Sequence, residues 1–507
     1  MESNIISSAF RKKIGCVQTN VEQRLQPETD TSINKILGVN AKAYVDSIEV
    51  LSGEATYEAQ VTFSVIYLDE NNETLMMTQK QQVVGKFEDN SLNSLMQPLY
   101  KIEVVDVSIE NATSTEVKVQ ATLELCLDVI DSVEIEPFVP VDENILVKKE
   151  LKKFLTVIDA GKANFIVSDE FDYKQNINKI LLKDVALCVK EVSSGTGYFT
   201  VEGDVYVKAY LEILDGETKT YKQFVETLPF KEEIDAERIT KNSIVKLVSM
   251  IKYDDVSISL TGDEVSNHIV KVDVPVFLRY VALNEVEYEM PADAYSLNHK
   301  LNMVTDTYYV GCINSYHKKE HIDGKLEISP ELPQINKVLM LDSPNLNITN
   351  SYLENDLLKV EGVLTTSVIY KADDELETTN SVQMEVPFMV SLNLENCTCK
   401  EDIFVCAEVV DYTVKAKKGK DLELDADVHF AIDNFSKEPD TFIKDVVLTE
   451  EILKSPYSLK IYLAPQGSTL WDISKNLNVK EEVILSQNPN LTFPLEKTES
   501  IVYFNNK

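Results

Sequence analysis

The chain has 507 residues, 44% hydrophobic and 26% charged, which is too long for one core and ordinary for globular protein, so several domains are expected. Acidic residues outnumber basic ones 84 to 49, a net charge of −35 that repels phosphate backbones and makes nucleic acid an unexpected partner. No apolar run approaches the ~20 residues of a membrane-spanning helix, and no transmembrane segment is expected.

Met1 to Gly15 carries Arg11, Lys12 and Lys13 with no apolar stretch behind them, and does not read as a signal peptide. Beyond it the chain repeats itself. Ile33-Asn34-Lys35-Ile36-Leu37 returns as Ile177-Asn178-Lys179-Ile180-Leu181 and as Ile335-Asn336-Lys337-Val338-Leu339. A second anchor follows each at near-constant distance: Tyr57-Glu58-Ala59, Val201-Glu202-Gly203 and Val360-Glu361-Gly362. A third, Pro229-Phe230 and Pro387-Phe388, recurs in the later two, with Lys86-Phe87 near that place in the first. The interval is a domain length, so these are tandem domains rather than solenoid turns.

Inside each repeat the apolar period is two. Val201 to Ile213 runs to a turn at Asp215-Gly216, and Gln60 to Leu68 to a turn at Asp69–Asn72. Glu116 to Ile130, Ile269 to Leu283 and Leu422 to Ile432 are further strands, with an edge or irregularity expected at Pro275. Ser243 to Lys252 is the best short helical candidate. Lys148, Lys149, Lys152 and Lys153 fall in an expected linker from Val141 to Lys153. Lys415, Lys417, Lys418 and Lys420 surround Gly419 at an expected hairpin tip.

Seven cysteines and no export signal favour reduced thiols. Cys397, Cys399 and Cys406 lie close in sequence, with His429 the nearest downstream histidine, and read as structural cysteines rather than a zinc site. His317-Lys318-Lys319-Glu320-His321 fits the H-x-x-E-H pattern of zinc hydrolases. That chemistry needs both histidines on one helical face, and the surroundings read as a polar linker. There is no phosphate loop and no nucleophile elbow.

The final stretch differs. Tyr462 to Ala464 reads as a strand, Ser468 as an N-cap, and Leu470, Ile473, Ser474 and Leu477 as one helical face. Asn478 is a stop, Glu481 to Gln487 a second helix ended by Asn488-Pro489, and Ile501 to Phe504 a closing strand. The order is β-α-α-β. Gly467-Ser468-Thr469-Leu470-Trp471-Asp472-Ile473-Ser474, Val479 and Asn488-Pro489 resemble the LysM family. The resemblance implies a glycan-binding groove on Gly467, Ser468, Thr469, Leu470, Asn488, Pro489, Asn490 and Leu491. Ser468 replaces the family's usual aspartate, and Pro494-Leu495 its late Pro-Gly.

The expected fold is mainly β: tandem β-sandwich-like repeats over 1–140, 141–295 and 296–455, then a small α+β domain over 458–507. Such repeats before LysM resemble the SPOCS–LysM proteins of endospore formers. That resemblance implies a non-enzymatic scaffold without cofactor or metal, in the mother-cell cytoplasm at the forespore surface, docking to the spore-coat morphogenetic ATPase. Two alternatives stand beside it. One is a protein binding peptidoglycan or N-acetylglucosamine chains in wall or cortex; the other is a metal-dependent hydrolase on His317, Glu320 and His321.

Overall fold

The computed structural model describes all residues except 1–4, 29–30, 217, 265–266, 356, 395–401, 454–458 and 505–507. The chain is mainly β, and every strand pairing among the described residues is antiparallel. The first segment holds β1 (Ile6–Leu25), β2 (Ile33–Val50), β3 (Glu54–Asp69), β4 (Thr74–Glu88), β5 (Gln97–Ala112) and β6 (Val117–Ile135). They form two sheets, β2-β3-β4 and β1-β6-β5, with the apolar faces of both in one core.

The second segment holds β7 (Ile145–Tyr173), β8 (Ile177–Ser194), β9 (Tyr198–Asp215), β10 (Thr218–Asp235), β11 (Ile244–Ile251), β12 (Ser257–Glu264) and β13 (Asn267–Ser296). Here β8-β9-β10 is one sheet, and β13 pairs with β7 on one side and with β11 and β12 on the other. The third holds β14 (His299–Glu327), β15 (Ile335–Leu341), β16 (Asn345–Glu354), β17 (Leu357–Ala372), β18 (Thr379–Asn393), β19 (Asp402–Lys417) and β20 (Asp421–Glu451). β15 and β16 share β17 with β18, and β14-β20-β19 is the second sheet. Pro344, which has no N–H to give a ladder, lies between β15 and β16.

The recurring motifs have a physical cause. In β2, β8 and β15 the register slips twice at matching places: past Asn34, Asn178 and Asn336, and again past Leu37, Leu181 and Leu339. Such bulges re-aim the side chains beside them. Leu37 and Leu181 are thereby buried with Ile66, Leu68, Leu182, Tyr210, Met340 and Ile369, with Leu339 packed alongside, in a cluster drawn from all three segments. Two more clusters span the segments. One joins Ala9, Leu99 and Ile130 to Leu155, Val281, Leu283 and Phe435; the other joins Ile6 and Ile135 to Phe154, Met290, Tyr308 and Phe442.

The Val-Glu-Gly and Pro-Phe anchors prove to be register partners. Phe230 lies opposite Gly203 and Phe388 opposite Gly362. A Cβ on Gly203 would stand 2.7 Å from the Phe230 ring, and one on Gly362 2.6 Å from Phe388. Each ring covers the bare backbone of its glycine. In the first segment the pair is exchanged between strands, Tyr57 of β3 lying over Gly85 of β4.

Four expectations are corrected. Ser243 to Lys252 holds strand β11, because its apolar residues face both the segment core and a cavity on the other side. The lysines from Lys148 to Lys153 lie within β7, where Lys152 reaches Asp440 at 2.9 Å and Lys153 reaches Glu285 at 2.5 Å. His317 to His321 lies within β14, not in a linker. Cys16 and Cys126 are joined at 2.07 Å, since the β1–β6 register sets them directly opposite with Cα atoms 4.0 Å apart. Cys397 and Cys399 lie outside the described residues; Cys188 and Cys406 are free thiols. Pro275 of β13 falls in the gap between the stretches paired with β12 and with β11.

Candidate functional site

The last segment follows the expected order: β21 (Leu459–Ala464), α1 (Leu470–Leu477), α2 (Glu481–Gln487) and β22 (Glu499–Phe504). Its core gathers Ala464, Ile473, Ile484, Leu495, Ile501 and Tyr503. The N-cap is Thr469 rather than Ser468: the Thr469 hydroxyl accepts from the Asp472 N–H at 3.2 Å, and the Asp472 carboxylate accepts from the Thr469 N–H at 2.9 Å. This reciprocal pair satisfies two donors that a serine one residue earlier would leave free. Asn478 closes α1 in the left-handed conformation. On α2 it is Ile484 that is buried in this core, while Leu485 beside it is 43% exposed.

The eight expected groove residues divide by role. Leu470 and Leu491 pack against the module's core. The Asn488 amide is spent internally: it donates to the Ile484 and Val502 carbonyls at 2.9 and 2.8 Å and accepts from the Val502 N–H at 3.0 Å, which ties α2 to β22. The Gly467 N–H donates to the Leu495 carbonyl at 2.8 Å, and the Leu495 N–H to the Ser468 carbonyl at 3.0 Å. Thr469 is engaged in the cap, while Gly467, Pro489 and Asn490 stay exposed.

A different face of the module is open. Leu459, Ile461 and Leu463 alternate outward on β21, and their register partners on β22 are Phe504, Val502 and Ser500. Ile461 is 67% and Leu463 65% exposed, with Leu459 and Phe504 about half exposed beside them. The opposite face of the module is occupied. Trp471 and Lys475 of α1 donate to the Asp293 carboxylate at 2.7 and 2.6 Å, and the Tyr295 hydroxyl donates to the Val479 carbonyl at 2.7 Å. The rings of Tyr295 and Trp471 meet edge to face at 4.9 Å.

His317 and His321 share one face of β14, but four residues of extended chain set them ~13 Å apart, and Glu320 points to the other face. These three residues therefore cannot close on one ion. His321 sits at the surface, where the Asp427 carboxylate 3.0 Å from its Nδ1 raises its pKa. His317 instead stacks on His429, with ring centroids 5.5 Å apart and planes 10° from parallel.

That stack lies on the wall of a cavity of about 540 Å³ lined by residues of all three segments, from Tyr44 and Lys101 through Lys246 to Cys406 and His429. The volume lies within the range of small-ligand pockets. Most of its charges are already paired. Lys246 is buried against Asp433 at 2.8 Å and beside Ser315, and Lys101 meets Glu103 at 3.0 Å. Burial pushes the Glu408 carboxyl up to about 7 and the Cys406 thiol up to about 12. It also pushes His429 down to about 4, with the neighbouring His317 adding to the effect, and lowers His317. Both imidazoles are therefore neutral near pH 7. The cavity was hidden from sequence reading because its walls come from strands hundreds of residues apart.

A scan against protein-family models returns no match, and neither does a search of curated proteins or of solved structures.

Proposed function

We propose that this chain is a non-enzymatic scaffold of the SPOCS–LysM kind, acting in endospore coat assembly. Residues 1–140, 141–295 and 296–455 are then three copies of one β-sandwich unit, and 458–507 is a LysM domain. The matching register slips in β2, β8 and β15 support the repeat. So does the pairing of first with last long strand in each segment: β1 with β6, β7 with β13, β14 with β20. The capping box, the two short helices and the Asn488 tie support a LysM-like module. In this reading the protein works in the mother-cell cytoplasm at the forespore surface and holds the spore-coat morphogenetic ATPase there.

One observation carries the docking role: the outward apolar face of Leu459, Ile461, Leu463 and Phe504 on a module whose other side is held by Asp293. Clustered exposed apolar side chains favour a protein surface over a polar sugar chain. The test is affinity capture of the purified ATPase by the full chain, run beside titration with chitin oligomers. The expected result is ATPase binding that is lost on joint Ile461→Asp and Leu463→Asp substitution, and no response to sugar. Sugar binding without ATPase capture would instead identify a wall- or cortex-glycan protein.

A further inference from the structure

Along β20 the alternate residues Val428, Phe430 and Ile432 fill the core of the third segment, so His429 and Ala431 face the other way, into the cavity. His317 lies opposite Ala431 in the β14 ladder, which seats its ring one pair along from His429 on that same face. The remaining walls are largely apolar and come from different cores: Ile102 from the first segment, Leu187, Val189 and Leu247 from the second, and Phe404 from the junction between segments. Exposed Lys190, Glu191 and Lys241 also line the cavity, so it reaches solvent.

The buried charges of the lining are matched to protein groups. Lys246 has Asp433, Lys101 has Glu103, and Glu408 accepts from the Tyr253 hydroxyl near Lys42. A charged ligand would break one of these pairings or stand unpaired beside it. Two atoms differ: His317 Nδ1 and His429 Nε2 are buried with no hydrogen-bond partner among the described residues, and His429 is only 7% exposed. Leaving such nitrogens unmet costs free energy that a ligand recovers.

We propose that this cavity binds an uncharged, mostly apolar small molecule whose one polar end is an amide or a like donor–acceptor pair, held by His317 and His429. A neutral imidazole presents either an N–H or a lone pair at a given nitrogen, according to its tautomer. An amide carries a donor and an acceptor side by side, and so can answer both rings. The carbon skeleton lies against Ile102, Leu187 and Phe404, in the manner of pockets whose few polar groups fix orientation within apolar walls. The site adds a ligand to the scaffold and is independent of the docking role.

The experiment is titration of the full chain with 2-naphthamide, followed by its fluorescence, beside naphthalene and 2-naphthoate. These keep the rings but carry, respectively, no polar end and a charged one. The expected result is equimolar binding of 2-naphthamide, about tenfold or more tighter than either comparison compound. His317→Phe and His429→Phe should each lower that preference about threefold or more, while His321→Ala, at the surface of the same strand as His317, keeps it. Ala431→Phe, which puts a ring beside both imidazoles, should abolish binding of 2-naphthamide and naphthalene alike. Circular dichroism establishes that each variant is folded, and the preferences of the unaltered chain carry the test where one is not. Absence of equimolar amide binding, equal affinity for amide and naphthalene, tighter binding of naphthoate, or a preference unchanged in folded His317→Phe and His429→Phe overturns the assignment.

Discussion

The indole N–H of Trp471 donates to the carboxylate of Asp293 at 2.7 Å, joining the C-terminal module to the end of β13. Burial works against the Asp293 charge, but hydrogen bonds from Lys475 and Trp471 outweigh it and hold the carboxyl below its ordinary pKa. A carboxyl depressed in the folded state contributes stability above its unfolded pKa of ~3.9 and loses it as pH falls through the folded value. Docking is therefore expected to be constant from neutral pH down to about 4 and to fail below. Trp471 is the sole tryptophan, so its emission reads the contact directly. Asp293→Ala should shift that emission to the red at pH 7 and abolish the acid transition. An unchanged spectrum would show that Tyr295 alone holds the module.

Ile473 is fully buried at the centre of the module. Replacing it with alanine should cost about 2–5 kcal/mol, which a core this small cannot absorb. The module should unfold while the three β segments keep their far-ultraviolet spectrum. Proteolysis that cleaves within 459–504 and spares the rest is the check.

Gly203 faces both the Phe230 ring and the Cys188 carbonyl, from which an added Cβ would stand only 2.2 Å away. Gly203→Ala should destabilise the second segment by about 1–3 kcal/mol. Adding Phe230→Ala should not restore it, because the backbone oxygen remains. Recovery in the double variant, measured by urea denaturation, would assign the constraint to the ring instead.

The Cys16–Cys126 bond closes a loop with a sequence separation of 110 residues. Loop-closure entropy sets its worth at about 4–5 kcal/mol if the bond is unstrained. Cys16→Ser with Cys126→Ser should lower the denaturant midpoint accordingly, and reductant should have no further effect on that variant. Intact mass under denaturing, alkylating conditions gives the oxidation state of the chain as isolated.

Strand alternation and the small C-terminal helices were legible because both rest on local periodicity. The anchors were legible as well, but not their cause: Asn34 and Leu37 recur because the chain bulges there, and a bulge shows only against a partner strand. Ser243 to Lys252 misled because apolar residues on both faces of a partly buried strand also satisfy helical spacing. Nothing near Lys246 in sequence announces that its charge is met by Asp433 of another segment. His317 was drawn to His321 by a motif, whereas its true neighbour, His429, is brought beside it by the pairing of β14 with β20.

The clusters shared by the three segments bear on synthesis. Leu37, Ile66 and Leu68 leave the ribosome long before Met340 and Ile369 exist to cover them. Until then the emerging protein carries a bare greasy flank, and a chaperone or a neighbouring nascent chain can occupy it. Cutting the gene at a segment boundary recreates that state permanently. Single segments expressed alone should therefore be sticky, and shortened versions of this protein are better made by trimming after Glu451 than by dividing what precedes it.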